Sequence, residues 1–176
     1  MKTDEELMVA ASGGDMDSFE ELVRRHQQGA INVAYRLVSD EHLARDLAQE
    51  AFLKVLEKAP DYRPTAKFRT YLYRVLTHLC IDHHRKKKAD PIPEMSDRSS
   101  DQDSPSGVMI REERADRVRK AVQELPERQR TAIVLQHYED MSYKEIALAM
   151  DCSESAVDSL LVRARRSLQE KLEDFS

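Results

Sequence analysis

Apolar residues recur at spacings of three and four along most of the chain, which predicts amphipathic helices rather than strands. The first helix opens at a capping box formed by Thr3 and Glu6 and ends at the Ser-Gly-Gly-Asp turn of residues 12–15. The pattern then predicts two separate helices, one over the apolar positions 19–23 and one over positions 31–38. Three helices are therefore expected ahead of the longer patterns that follow.

Two longer helical patterns complete the first half. Residues 40–58 are predicted to form a helix that stops before Pro60, because proline disfavours helix at the residue before it. After a loop at residues 60–66, a long helix is predicted from residue 67 into the basic run at residues 85–88. The apolar stripe that is expected to face the core comprises Phe68, Leu72, Val75, Leu76 and Leu79.

Residues 89–107 contain three of the six prolines, five serines and almost nothing apolar. Such a segment cannot bury enough surface to offset the entropy lost on ordering, so we expect a flexible acidic linker. Beyond it, the pattern predicts a charged helix over residues 109–125 and another over residues 126–138.

Residues 142–168 predict two helices joined by a short turn. Ser142 and Glu145 form a second capping box, the turn falls at residues 151–152, and Ser153 can cap the final helix. The buried stripe of that helix is expected to comprise Val157, Leu161, Ala164 and Leu168. This arrangement is typical of a helix-turn-helix, whose second helix can enter a DNA major groove, and a plain helical hairpin is the alternative.

Composition narrows the fold class to all-α. The 176 residues include only four glycines and no tryptophan, and 35% are charged. This composition disfavours a β-sandwich. The lack of a glycine-rich phosphate loop disfavours a P-loop enzyme. We expect two small helical domains, residues 1–88 and 108–176, joined by the linker at residues 89–107. The absence of a long apolar stretch, the acidic N-terminus and two distant cysteines predict a cytoplasmic protein.

Charge is unevenly distributed along the chain. The net charge is −5, but residues 63–88 hold eight basic residues and one acidic residue. A block of basic residues between acidic segments is a charge pattern typical of a nucleic-acid binder. Within it, Tyr71 and Tyr73 cannot both face the core, so at least one is expected to be partly exposed. Exposed aromatics beside cations can hold single-stranded bases, and ordinary half-buried packing is the alternative.

The helix predicted at residues 40–58 carries a second candidate surface. Opposite its core side, Asp46, Gln49, Glu50 and Leu53 share one face. An acidic face with an apolar residue embedded in it suits the docking of a basic protein partner. A solvated surface with one exposed leucine is the alternative.

Histidine and cysteine do not build a convincing metal or catalytic site. His78, Cys80, His83 and His84 are close in sequence, but no Cys-x-x-Cys pair accompanies them and a structural zinc site usually needs four ligands. No catalytic carboxylate pair, activated cysteine or Ser-His-Asp order is found at a suitable spacing. We therefore expect no metal, no cofactor and no enzymatic activity.

The order of these motifs resembles one family. The segments DLAQEAF, KFRTYLYRV and IDHHRKKK, the acidic linker, and the segment LPERQRTAIVLQHYEDMSYKEIALAMDCSESAVDSLLVRARRSL are similar to bacterial RNA polymerase sigma factors of the extracytoplasmic-function group. The resemblance covers nearly the whole chain except the linker. It implies that the first half is sigma region 2 and the second half is region 4. The implied function is to bind core RNA polymerase and to direct promoter-specific transcription initiation.

The resemblance also implies three groups of site residues. The first would dock on the polymerase and comprises Asp46, Gln49, Glu50 and Leu53. The second would capture and melt the −10 element and comprises Asp61, Tyr62, Arg63, Lys67, Arg69, Tyr71, Arg74, His78, Arg85, Lys86, Lys87 and Lys88. The third would meet the −35 element and comprises Ser142, Lys144, Ser153, Ser155, Ser159, Arg163, Arg165 and Arg166.

Several positions depart from the family pattern. Tyr71 stands where the family usually has Trp and keeps a stacking face, whereas His78 replaces Asn and alters the expected −10 preference. Asp151 replaces the usual Gly of the turn, and aspartate tolerates a left-handed conformation better than most residues. The family's Thr, Lys and Arg in the final helix are replaced by Ala156, Asp158 and Leu160. Weaker or differently specified −35 binding is therefore expected.

The resemblance implies core RNA polymerase (its β′ and β subunits), promoter DNA and an anti-sigma factor as partners, without direct membrane insertion. The implied location is the cytoplasm, at the nucleoid when bound to polymerase and near the membrane when an anti-sigma factor holds it there. Two other functions stay open on the residues alone. A stand-alone DNA-binding regulator would bind duplex tightly without polymerase, and a zinc-dependent helical enzyme would purify with metal.

Overall fold

Eight α-helices make up the part of the chain that the computed structural model describes, residues 1–89 and 106–173, and no strand occurs there. The all-α prediction is therefore confirmed. One turn of 3-10 helix, Ala59–Asp61, follows the third helix. Apart from its two ends, the predicted linker lies outside the described residues. The helices are α1 Asp4–Ser12, α2 Met16–Val38, α3 Glu41–Glu57, α4 Phe68–Ala89, α5 Ser106–Gln123, α6 Glu127–His137, α7 Tyr143–Met150 and α8 Glu154–Glu173.

In the first half, α2, α3 and α4 surround a common core, and α1 packs on α2. The core side of α3 is the one that the spacing predicted, since Ala44, Leu47, Ala51 and Val55 are all buried. Burial of this apolar side turns the opposite, polar side of α3 toward solvent. In α4, the predicted stripe is fully buried at Phe68, Leu72 and Leu76 and half-buried at Val75 and Leu79.

One prediction is wrong, because α2 is a single helix of 23 residues where the apolar pattern predicted two. The intervening sequence contains Gly29 but no proline or turn signal. A glycine inside a helix costs about 1 kcal/mol relative to alanine without breaking the hydrogen-bond ladder. Its missing side chain also has a packing role, because a Cβ at Gly29 would lie 3.0 Å from the hydroxyl oxygen of Tyr73.

Helix α1 holds the start of α4. The predicted capping box is present, with Thr3 Oγ1 accepting from the Glu6 backbone N–H and the Glu6 carboxylate accepting from the Thr3 backbone N–H. In the same turn, Glu5 Oε1 accepts a hydrogen bond of 2.9 Å from the backbone N–H of Phe68. A carboxylate is favourable there because the first N–H groups of a helix lack partners within the helix.

The second half contains the predicted helix-turn-helix, formed by α7 and α8. Ser142 and Glu145 make the capping box that opens α7, and Ser153 Oγ accepts from the Ala156 backbone N–H at the start of α8. Asp151 closes α7 in the left-handed region, with φ of 52°. The stripe predicted for α8 is buried at three positions and half-buried at the fourth; these are Val157, Leu161, Ala164 and Leu168.

The two halves pack against each other, with α4 lying along α7 and α2 lying against α5 and α6. Arg130 of α6 is 7% exposed, and its Nη1 donates to the Leu37 carbonyl oxygen at the end of α2 across 3.0 Å. Thr77 Oγ1 of α4 shares its one proton between the Arg74 carbonyl oxygen of its own helix, at 3.2 Å, and the Ala149 carbonyl oxygen of α7, at 3.4 Å. We call this contact surface between the halves, where α2 and α4 meet α5, α6 and α7, the seam. It joins α4, which carries the basic residues, to the helix-turn-helix of the second half.

Candidate nucleic-acid and protein interfaces

The polar face of α3 is solvent-exposed, as the spacing predicted. Asp46, Gln49 and Glu50 are exposed, and Leu53 is 58% exposed among them. Leu53 is not an isolated surface residue, because it borders a groove of about 440 Å³ between α2 and α3. The apolar side chains along this groove are Phe19, Val23, Ile31, Ala48, Phe52 and Leu53. An acidic surface beside an apolar groove has the chemistry to accept a basic helix that carries a hydrophobic side chain.

One side of α4 carries Arg74, His78 and Arg85, with Lys67 just before the helix, whereas Arg69, Lys86 and Lys87 lie elsewhere around it. Lys67, Arg74, His78 and Arg85 follow one another at intervals of seven, four and seven residues, which places them along a single line on a helix of 3.6 residues per turn. We call these four residues the basic line. Tyr71 shares this side and is half-buried, whereas Tyr73 is 2% exposed. The prediction that at least one of the two tyrosines is partly exposed is therefore confirmed.

Carboxylates of the second half contact the basic line. Lys67 Nζ lies 3.0 Å from Glu145 Oε1, close to the start of α7. Arg85 Nε lies 3.6 Å from Glu127 Oε1. On another side of α4, the one that carries Tyr73, Arg69 Nη1 approaches Glu139 Oε2 at 3.9 Å.

The middle of the basic line converges on one carboxylate. Arg74 Nη2 lies 3.0 Å from Asp151 Oδ1, and Arg74 Nε donates to Asp151 Oδ2 across 3.3 Å. His78 Nε2 lies 3.2 Å from the same Oδ2. Two positions that depart from the family pattern, His78 and Asp151, are thus in contact across the seam between the halves.

The loop before α4 forms part of a small cleft rather than an open surface. Asp61 and Arg63 are exposed, but Tyr62 is only 9% exposed and its ring centroid lies 5.5 Å from that of Tyr71. Burial raises the pKa of Tyr62. The cleft, of about 120 Å³, is bordered by the loop and α4 and also by two residues of the second half, Leu148 and Asp151. Tyr62, predicted to meet DNA, is thus not presented to solvent in this arrangement.

All eight residues predicted to meet the −35 element are exposed. Two of them also have a structural role, since Ser142 and Ser153 accept hydrogen bonds from the first turns of α7 and α8. Asp158 is exposed on α8, on the same helix as the arginines. The exposed arginines of α8 are Arg163, Arg165 and Arg166.

The end of α4 stays basic and accessible, with Lys86, Lys87 and Lys88 all exposed. His84 is half-buried, and burial lowers its pKa. Cys80 is a buried free thiol, and burial raises its pKa to about 12.

Residues 1–89 and 106–173 contain no group of three or more side chains arranged to hold a metal ion. In the same residues, no helix is both long enough and apolar enough to cross a membrane.

Sequence reasoning missed the acidic residues that face α4 from the second half. Glu127, Glu139 and Glu145 lie far along the chain from their partners. The local pattern marks Glu145 only as part of a capping box and does not indicate that any of the three meets α4. The spacing of charged residues along one helix indicates which of its own faces is polar. It does not identify the distant residues that pack against that face.

Comparison with known proteins agrees with this geometry. The family model for sigma-70 region 2 matches residues 22–89, and the model for sigma-70 region 4 matches residues 115–168. The RNA polymerase sigma-H factor of Pseudomonas aeruginosa is 32% identical over 97% of this chain and 94% of its own length. The ECF RNA polymerase sigma-E factor of Haemophilus influenzae is 30% identical over 97% of this chain and 96% of its own length.

A solved structure shares the fold. The sigma factor RpoE of Bartonella quintana, solved with the anti-sigma factor NepR, superposes with a TM-score of 0.69 at 22% identity, over 90% of this chain and 98% of that one. Both matched family regions coincide with the candidate interfaces, since the region 2 match contains α3 and α4 and the region 4 match contains α7 and most of α8. This chain belongs to the extracytoplasmic-function group of bacterial RNA polymerase sigma factors, which direct transcription initiation.

Proposed function

We propose that this sigma factor divides promoter recognition between its two halves. The face of α3 docks on the β′ subunit of core polymerase, α4 with the preceding loop opens and reads the −10 element, and α7 with α8 reads the −35 element. An anti-sigma factor restrains it. The finer assignments rest on the geometry of each surface and on the functions of the relatives.

The observation that carries the docking assignment is the exposure of Leu53 within an acidic surface. A large apolar side chain that is 58% exposed at the rim of an apolar groove loses stabilisation unless a partner covers it. Asp46 and Glu50 beside it attract basic partners and repel nucleic acid. This surface therefore favours a protein partner over DNA.

The DNA assignment rests on charge and on aromatic faces. The basic line offers cations at helical intervals along one side of α4, next to the half-buried ring of Tyr71. Stacking a base on an aromatic ring contributes about 1–3 kcal/mol, which can offset the unstacking of about one duplex step. Holding a few unpaired bases in this way stabilises a melted promoter.

Restraint by an anti-sigma factor is supported by the solved relative from Bartonella quintana, which was captured with the anti-sigma factor NepR. The groove between α2 and α3 is lined mostly by apolar side chains, as are the grooves that accept a helical segment of a partner. A factor bound at the docking surface would compete directly with core polymerase.

The test is co-purification with core RNA polymerase followed by run-off transcription on fragmented genomic DNA. The double variant Asp46→Lys with Glu50→Lys should lose core binding by at least ten-fold and lose run-off products. The matched control is Glu112→Lys with Glu113→Lys, which changes the net charge equally on exposed positions of α5. The control should bind core polymerase as the wild type does.

Two results would contradict the proposal. If the α3 double variant binds core polymerase normally, the docking surface is assigned wrongly. If the wild-type chain shifts duplex DNA tightly without polymerase and gives no promoter-specific run-off, the stand-alone regulator is the better description.

A further inference from the structure

Asp151 has a feature that the turn between α7 and α8 does not require. The residue has φ of 52° and ψ of 50°, and its backbone N–H donates to the Ala147 carbonyl oxygen. Glycine adopts this conformation at the lowest cost, and asparagine closes such turns as well. What aspartate adds is a negative charge, so its function has to be sought in what the carboxylate touches.

The Asp151 carboxylate touches two residues of the basic line. Arg74 reaches both of its oxygens, at 3.0 Å and 3.3 Å, and His78 Nε2 lies 3.2 Å from Oδ2. Two-point contact between a guanidinium and an anion with two oxygens is also how arginine binds a phosphate. Asp151 therefore occupies, within the free chain, the position that a nucleic-acid phosphate would take on this side of α4.

We propose that the Asp151 carboxylate is an internal substitute for a promoter phosphate and latches the helix-turn-helix over the DNA-reading side of α4. The latch rests on the proposed function, since it assigns Arg74 and His78 to DNA once the halves separate. Its own second half and the promoter then compete for the same two side chains.

Neighbouring contacts between the two halves add to the effect of the Arg74–Asp151 pair on the equilibrium between the closed and open forms. Arg74 and Asp151 are about half-exposed, and a pair of this kind changes an equilibrium by only about two- to five-fold. It acts together with the ion pair of Lys67 and Glu145 and with the hydrogen bond from Thr77 to Ala149. The combined contacts hold the closed form, and Asp151 adjusts how often it opens.

Cys80 provides a natural reporter of opening. This thiol is 3% exposed and lies at the seam, where one small cavity is bordered by Cys80 and Leu37 and by Arg130 and Thr131 of the second half. A maleimide can modify it only when the seam opens, so the modification rate is proportional to the open fraction even when that fraction is small.

The experiment measures Cys80 modification by mass spectrometry in the free full-length chain, with Cys152→Ser removing the second thiol. Asp151→Asn keeps the shape and the turn while removing the charge, and it should raise the rate about two- to five-fold. The matched control Asp158→Asn removes an exposed charge from α8 and should leave the rate unchanged. In a background of Arg74→Gln with His78→Gln, Asp151→Asn should have no further effect.

Opening must be separated from global unfolding. Because the dependence of a rate on urea scales with the surface that is exposed, opening of the seam should show a weak urea dependence and unfolding a steep one. A rate that is unchanged by Asp151→Asn, equal effects of the two Asp→Asn variants, or a steep urea dependence would each overturn the latch. None of these readouts uses polymerase or DNA, so they fail or succeed independently of the run-off test.

Discussion

Arg130 of the second half donates a hydrogen bond to the carbonyl oxygen of Leu37 in the first half. This carbonyl group belongs to the last turn of α2 and has no donor within that helix. The guanidinium donates from Nη1 to the Leu37 carbonyl oxygen across 3.0 Å, and its other nitrogens donate to the carbonyl oxygens of Val122, Gln123 and Leu125. Burial lowers the pKa of Arg130. One side chain thus donates to carbonyl groups at the ends of α2 and α5, and the Val122 carbonyl oxygen also accepts from the Leu125 backbone N–H.

Replacing Arg130 by methionine should destabilise the protein by about 3 kcal/mol, because buried carbonyl groups lose their charged donors. The measurement is urea unfolding followed by circular dichroism. Arg128→Met is the matched control, since Arg128 is exposed two residues earlier on the same helix, and its effect should stay within about 0.5 kcal/mol. Equal losses for both variants would contradict the role of the buried guanidinium.

Gly29→Ala should stabilise the protein less than helix propensity predicts. The propensity gain is about 1 kcal/mol, but the new Cβ would lie 3.0 Å from the Tyr73 hydroxyl, which donates to Glu139 Oε2. In a Tyr73→Phe background the obstacle is absent, and Gly29→Ala should recover the full gain. A double-mutant cycle by thermal unfolding measures the coupling. Identical effects in the two backgrounds would show that Tyr73 does not restrict this position.

The capping box of α7 should make stability depend on pH. The hydrogen bond with the Ser142 backbone N–H, followed by Lys67, holds the pKa of Glu145 below its ordinary value of 4.5. The stabilisation is complete above that ordinary value and is lost as the pH falls through the lowered value. Glu145→Gln should therefore be less stable than the wild type at neutral pH, by less than about 1 kcal/mol, and equally stable near the acid end.

Thermal unfolding at a series of pH values tests this prediction. Glu170→Gln, an exposed change on α8, is the control and should follow the wild type throughout. A difference between Glu145→Gln and the wild type that stays constant on acidification would refute the assignment to the carboxylate.

The two thiols should differ in reactivity. Burial raises the pKa of Cys80 to about 12 and leaves little thiolate at neutral pH, whereas Cys152 is half-buried in the turn after α7. Brief alkylation of the native protein should modify Cys152 alone, and denaturant should release both thiols. Peptide mapping identifies the site, and Cys152→Ser should abolish the fast reaction. Rapid modification of Cys80 in the native chain would contradict the burial described for it.

Local patterns predicted the elements well where burial follows helical spacing. The two faces of α3, the capping boxes at Thr3 and Ser142, and the short turn at Asp151 each depend on residues within a few positions of one another. Continuity of α2 was missed because one glycine weakens a helical pattern without ending the helix, as Gly29 shows.

The seam between the halves could not be predicted in the same way. Arg130 has the local sequence of a surface arginine, and its burial depends on carbonyl groups that only the folded chain brings together. Tyr62 likewise follows a charged loop residue yet lies in the core. Charge patterning located the basic side of α4 and the acidic side of α3, but it did not identify the carboxylates that meet α4.

The hydrogen bond from Phe68 to Glu5 has a consequence for the amino-terminal helix. Because the carboxylate that anchors the first turn of α4 belongs to α1, the placement of the loop at residues 62–67 depends on a segment that contributes none of the proposed DNA contacts. Under the proposed function, sequence changes in α1 adjust how readily a promoter is opened. Natural variation in this segment would then tune transcription strength without changing any residue that is proposed to meet DNA.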